Sequence, residues 1–256
     1  MGRFSTVVFL IFSSFISFAQ DNRIDTVRPD APELASFGDY DIGVRTLEFV
    51  DPDRIDILNT DRGGENAIYD RSLTVEIWYP AELATGQEPG GEYQAITRNP
   101  AITATLVGSA VRDAEPNIAD VRYPLVIISH GYPGNRFLIS HLGENLASKG
   151  YVVASIDHTD STYDDQQAFQ STLYNRPLDQ RFVLDTLDNL SNDSGSFLDG
   201  LLDAQTTGIV GYSMGGYGLV NNLGGGYSDD IVGSLMAPPN ELLYQHATGN
   251  PDYRSN

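Results

Sequence analysis

Gly211-Tyr212-Ser213-Met214-Gly215 sets a serine between two glycines, each two residues away. A serine hydroxyl attacks an acyl group only when it stands clear of its neighbours and a base can take its proton. The G-x-S-x-G spacing supplies the first condition, because the glycines let neighbouring backbone pass without side-chain clashes while a cramped strand-to-helix turn lifts the hydroxyl. The context agrees: the apolar Thr207-Gly208-Ile209-Val210 predicts a strand before the turn, and Gly216-Tyr217-Gly218-Leu219-Val220 a helix after it. The first turn of such a helix offers unpaired N–H groups to a developing oxyanion. A second loop, Ser129-His130-Gly131-Tyr132-Pro133-Gly134, follows the apolar Leu125-Val126-Ile127-Ile128, the place from which sites of this type draw their other donor. The candidate residues are therefore Ser213 as nucleophile and the backbone amides of Tyr132 and Met214 as oxyanion donors. His130 precedes the serine, against the expected order of nucleophile, acid and histidine, and is read as a brace for its loop.

The second condition is harder to meet. Residues 214–256 contain one histidine, His246, and the carboxylates Asp229, Asp230, Glu241 and Asp252. The acid and the histidine should follow later strands, a path of roughly 60 to 100 residues at ordinary element and loop lengths. The catalytic acid and histidine are thus expected to be absent from this sequence, which reads as a piece of a longer hydrolase. An unorthodox site using His246, or a chain without turnover, are the alternatives.

The elements that would position these residues are legible in part. Leu125–Ile128, Tyr151–Ile156 and Thr207–Val210 are short continuous apolar runs, as in strands buried on both faces of a parallel sheet. Leu138, Leu142 and Leu146 predict a helix stopped by Lys149-Gly150, and Val183, Leu187 and Leu190 a second one. Strands alternating with helices predict an α/β fold with a mostly parallel sheet and helices on both faces. Upstream, Gly43–Val50 and Leu73-Thr74-Val75-Glu76-Ile77 read as strands, the latter ended by Pro80, after a loose lead-in over Asp21–Phe37. Residues 81–121 form a long insertion, a lid or surface excursion, with one short helix around Ala101–Val111. Asp157, His158 and Asp160 at a strand end read as a hydrogen-bonded loop, and no metal or cofactor is called for.

Several of these segments together resemble the dienelactone-hydrolase-like group related to platelet-activating-factor acetylhydrolase and, more remotely, to bacterial cutinase-like hydrolases. They are Val75-Glu76-Ile77-Trp78-Tyr79-Pro80, the Ser129–Arg136 loop, Asp157-His158-Thr159-Asp160-Ser161, Asn175-Arg176-Pro177-Leu178-Asp179, and the Ser213 pentapeptide. The resemblance covers roughly residues 43–226 and implies an α/β-hydrolase fold lacking its last strands. It also implies a carboxylic-ester hydrolase without cofactor, with a small ester as substrate. Dienelactone hydrolases proper use a cysteine nucleophile, and this sequence has no cysteine. Thioesterase or peptidase chemistry on the same scaffold, and a non-catalytic binding role, stay open.

Bulk properties narrow the setting. Arg3 followed by the apolar Phe4–Phe18 and by Ser17-Phe18-Ala19 predicts a signal peptide over residues 1–19, hence export. Residues 20–256 then form a single domain. The 15 basic and 35 acidic residues give a formal charge of −20, a surface that repels phosphate backbones and argues against nucleic-acid binding.

Overall fold

The computed structural model describes residues 22–244, so the proposed signal segment, His246 and Asp252 lie outside the described residues. The scaffold is a seven-stranded mixed sheet with helices on both faces. Chain order runs through strands β1 (Asn22–Arg23), β2 (Asp41–Ile55), β3 (Ile68–Glu82), β4 (Glu92–Ile96), β5 (Thr103–Val107), β6 (Val111–Arg112), β7 (Glu115–Pro116) and β8 (Tyr123–Ser129). Helix α1 (Ser140–Ala147), β9 (Val152–Asp157), α2 (Phe169–Leu190), β10 (Leu202–Gly211), α3 (Met214–Asn222) and the single turn α4 (Asp229–Val232) follow.

The large sheet has the order β10-β8-β9-β3-β2-β6, with β7 also pairing β3. It divides by direction: β10, β8 and β9 are parallel, whereas β3 runs antiparallel to both β9 and β2. The parallel half matches the short apolar runs of the sequence. Alternate side chains of β8 explain why it must be covered twice. Leu125 and Ile127 enter one core with Val183 and Leu187 of α2, while Val126 and Ile128 enter the other with Trp78 and Ala147 of α1. From β8 the chain passes through α1 to β9 on one side, then through α2 back to β10 on the other. Strand β8 is thus where the winding reverses, and the crevice beyond the carboxyl ends of β8 and β10 is where α/β sheets hold ligands.

Two expectations need correction. Strand β3 does not stop at Pro80 but continues to Glu82, because Pro80 lies beyond Trp78, the last residue paired to β9, and pairs Ile42 where the missing N–H breaks little of the ladder. The expected short helix around Ala101–Val111 is instead strand β5, half of a hairpin with β4 that takes up β1 from the lead-in as a second, three-stranded sheet. The β-branched Thr103, Thr105 and Val107 favour that outcome. Of the two readings left open for the insertion, a lid or a surface excursion, the contacts show a segment tied down on α1: buried Glu144 accepts the Ser109 and Ala110 N–H groups at 2.9 and 3.1 Å and the Tyr93 hydroxyl at 2.5 Å. Tyr93 in turn accepts the Trp78 indole N–H at 2.9 Å.

Candidate active site

Strands β8 and β10 leave the sheet side by side, Ser129 paired with Gly211, and the Tyr212 N–H donates to the Ser129 carbonyl at 3.0 Å. The serine loop and the His130–Gly134 loop therefore emerge together. Ser213 caps α3 with φ 53° and ψ −115°, a left-handed conformation costing a non-glycine residue roughly 1–3 kcal/mol. The flanking glycines are required by contact: a Cβ at Gly211 would lie 2.4 Å from the Gly215 carbonyl carbon, and one at Gly215 would lie 1.9 Å from the Ser129 oxygen. The sequence reading of the pentapeptide as a tight elbow and the observed geometry coincide.

Ser213 is exposed and lines a pocket of about 310 Å³ with Arg98, Tyr132, Pro133, Leu138, Ile139, Tyr163 and Tyr212. The two loops touch, since a Cβ on Gly131 would stand 3.2 Å from that of Ser213. Among the described residues the N–H groups of Tyr132 and Met214 have no hydrogen-bond acceptor. The carbonyl of Ser213 is held by the Tyr217 N–H at 3.1 Å, which turns the Met214 N–H of the same planar peptide the opposite way, off the start of α3. No described hydrogen bond reaches the Ser213 hydroxyl. His246 is outside the described residues, and Asp229 and Asp230 begin α4 while Glu241 sits in a turn.

Beneath the elbow lies a constellation the sequence reading did not assemble. Ser129 Oγ is 2.8 Å from His158 Nε2, and His158 Nδ1 is 2.9 Å from Asp179 Oδ2. The connectivity is that of a nucleophile, base and acid, yet Ser129 and Asp179 are fully buried and His158 is 1% exposed, so no substrate reaches it. Burial, with the nearby Arg176 cation, holds His158 down at about 3, so its contact with Asp179 is a hydrogen bond from a neutral ring and not an ion pair. The proton sits on Nδ1, facing the carboxylate, and Nε2 accepts from Ser129. Burial alone would raise the Asp179 carboxyl, but Arg71, bonding it at 2.8 and 2.9 Å, and His158 keep it well below the usual carboxylate range. Arg54 adds a bond at 3.3 Å.

His130 has the bracing position expected of it. Its Nε2 accepts the His158 backbone N–H at 3.2 Å, which leaves the proton on Nδ1, donated to the Gly131 carbonyl at 2.7 Å. Burial first, then His158 and Arg176, hold its pKa far below the ordinary histidine value. Arg176 and Asp179, quoted above only within a resembling segment, are thus the residues whose part the sequence did not disclose. Gln180, a turn further on, donates to the Gly215 carbonyl at 2.9 Å and ties α2 to the elbow.

Comparison with known proteins bears on this arrangement. The family described as "Platelet-activating factor acetylhydrolase, isoform II" matches residues 69–184. That match, with the relatives that follow, supports a place for the chain in the platelet-activating-factor acetylhydrolase and dienelactone-hydrolase-like group of α/β-hydrolases. Within this α/β-hydrolase group, Cutinase 2 of Thermobifida cellulosilytica is 36% identical over 98 residues, 38% of this chain and 32% of that protein. The platelet-activating factor acetylhydrolase of Bos taurus is 43% identical over 67 residues, 22% of this chain and 15% of that protein. A solved ferulic acid esterase from Streptomyces cinnamoneus superposes with a TM-score of 0.56 at 28% identity, covering 80% of this chain and 58% of that one. The chain spans about a third of the length of the curated cutinase it matches. The family match takes in the His130 loop, His158, Arg176 and Asp179 and stops short of Ser213.

Proposed function

We propose that this chain carries the nucleophile and oxyanion hole of a carboxylic-ester hydrolase that works through an acyl-enzyme on Ser213. The observation that supports this most is the exposed, strained Ser213 at the carboxyl end of β10, beside two backbone N–H groups that lack acceptors. In the proposed reaction Ser213 Oγ attacks the ester carbonyl as its proton passes to a base. The Tyr132 and Met214 amides hold the resulting oxyanion, the alcohol leaves with a proton, and water then releases the acid. The base and its carboxylate are assigned to sequence outside the described residues, because His130 and His158 are sealed in the core and the exposed His141 of α1 lines a different pocket from Ser213. No metal or cofactor enters this scheme. Export through residues 1–19 belongs to the same proposal, and no helix among the described residues is long and apolar enough to cross a membrane.

The lack of any described partner for the Ser213 hydroxyl favours a second reading, a protein that binds ester-like ligands without turning them over. Hydrolysis of a p-nitrophenyl ester separates the two. Turnover that disappears in Ser213→Ala, with the fold retained, supports the hydrolase; saturable binding of the ester with neither turnover nor covalent capture of Ser213 by a fluorophosphonate in the unaltered protein supports the binder and overturns the first proposal.

A further inference from the structure

Arg176 is 1% exposed, and among the described residues it forms no ion pair, the nearby Asp179 being taken by Arg71, Arg54 and His158. Removing a cation from water costs several kcal/mol unless other groups compensate. The groups it does touch are few. Its guanidinium donates to the His130 carbonyl, to the Gly131 carbonyl at 3.4 Å and to Ser161 Oγ at 2.5 Å, and its Nε has no partner. Two consecutive carbonyls of the loop beside Ser213 are thus drawn inward, and His130 Nδ1 holds the second of them as well.

That arrangement determines where the opposite ends of those peptides go. In a planar trans peptide the C=O and N–H point in opposite directions, so fixing the His130 and Gly131 carbonyls inward turns the Gly131 and Tyr132 N–H groups outward. Neither N–H has an acceptor among the described residues, and Gly131 lies against Ser213. A cation bonded to a carbonyl also polarises the whole peptide, making its N–H a stronger donor, and does so most where water is excluded. We propose that Arg176 is a positioning residue for the oxyanion hole: from behind the loop it aims and polarises the amide of Tyr132, acting on the oxyanion through one peptide group. The inference deepens the hydrolase reading above and depends on it.

The test uses the full chain with Arg176→Gln, Arg176→Lys and Ser161→Ala. Arg176→Gln is expected to lower kcat ~10- to 100-fold with KM within about twofold, less than the ~100- to 1,000-fold loss typical of removing an oxyanion donor outright. Arg176→Lys, which keeps the charge without the fork, recovers part of the loss. Should the glutamine variant not fold, Ser161→Ala, which removes one of the three anchors of the guanidinium, still lowers kcat severalfold at unchanged KM. In protein labelled with ¹⁵N-tyrosine, the Tyr132 amide proton moves upfield in the variants while those of the buried Tyr79 and Tyr93 stay in place. Unchanged kcat in a folded variant, a loss in KM alone, or tyrosine amides shifting together overturns the proposal. Ser213→Ala keeps the two claims apart: if turnover does not depend on Ser213, the hydrolase reading fails, and the Tyr132 amide shift alone decides the role of Arg176.

Discussion

A serine at φ 53° persists only where its surroundings leave it no better choice, and here Gly211, Gly215 and the Ser129 carbonyl close around it. Gly215→Ala would drive a methyl group to 1.9 Å from the Ser129 oxygen, and backbone on both sides must move to admit it. We expect a loss of about 3 kcal/mol in urea unfolding, the upper end for overpacking, because the obstructing atom belongs to a strand and not to a flexible side chain. At this scale the tight elbow at Ser213 was legible, since an elbow needs its glycines within two residues of the serine and the strand and helix around it leave their own patterns. The network beneath was not. Arg71 and Asp179 are 108 residues apart in sequence, and only the order of strands brings them together. Nothing local to Arg176 distinguishes a buried cation from a solvated one.

Helix α2 shows the same limit one level up. Its C-terminal half was readable from Val183, Leu187 and Leu190, but its N-terminal half buries Ser171, Thr172, Asn175, Arg176, Asp179 and Gln180, so the hydrophobic period that reveals a helix is missing there. Pro177 inside the helix adds to the disguise. Lacking an N–H, it leaves the Leu173 carbonyl without its helical donor, and the Tyr217 hydroxyl of α3 fills that place at 2.7 Å. The break in α2 thus adds a fastening for α3, and with it the elbow, to the one Gln180 makes. Tyr217→Phe should cost about 1–2 kcal/mol, since it strands a part-buried acceptor and also removes the bond to the Tyr227 hydroxyl. In Pro177→Ala, where residue 177 can donate to Leu173 itself, the same substitution should cost at least ~0.5 kcal/mol less. A thermodynamic cycle by urea denaturation gives the coupling directly, and strict additivity would show that the two helices are joined by other means.

For the molecule as a whole, acid should be more damaging than the surface charge suggests. The buried histidines set the onset. Unfolded, a histidine takes up a proton near pH 6.5; folded, His158 does so only at about 3, and His130 is shifted in the same direction. Between those values the unfolded state binds more protons, so the stabilisation is complete above about pH 6.5 and is lost as the pH falls toward 3. For His158 alone the loss is on the order of 3 kcal/mol by pH 4. The depressed Asp179 adds a further loss below about pH 4. Unfolding free energies measured from pH 8 to pH 4 should decline from about pH 6.5, with a shallower slope in His158→Gln; a flat profile between pH 7 and pH 5 would contradict neutral buried histidines. The parallel half of the sheet that holds them was foreseeable from its apolar strands. The antiparallel strands β2 and β3 were foreseeable in part, from Gly43–Val50 and Leu73–Ile77, whereas the β4–β5 hairpin was not, because its mixed polar segments carry weak periodicity.

The central claim is that Ser213 is the nucleophile, and its most direct test is the site of covalent capture by a fluorophosphonate, read by peptide mass mapping on the folded protein. One adduct is expected, on the peptide carrying Ser213, absent from Ser213→Ala and weakened in Arg176→Gln. An adduct on another residue, or labelling that survives Ser213→Ala unchanged, would contradict it.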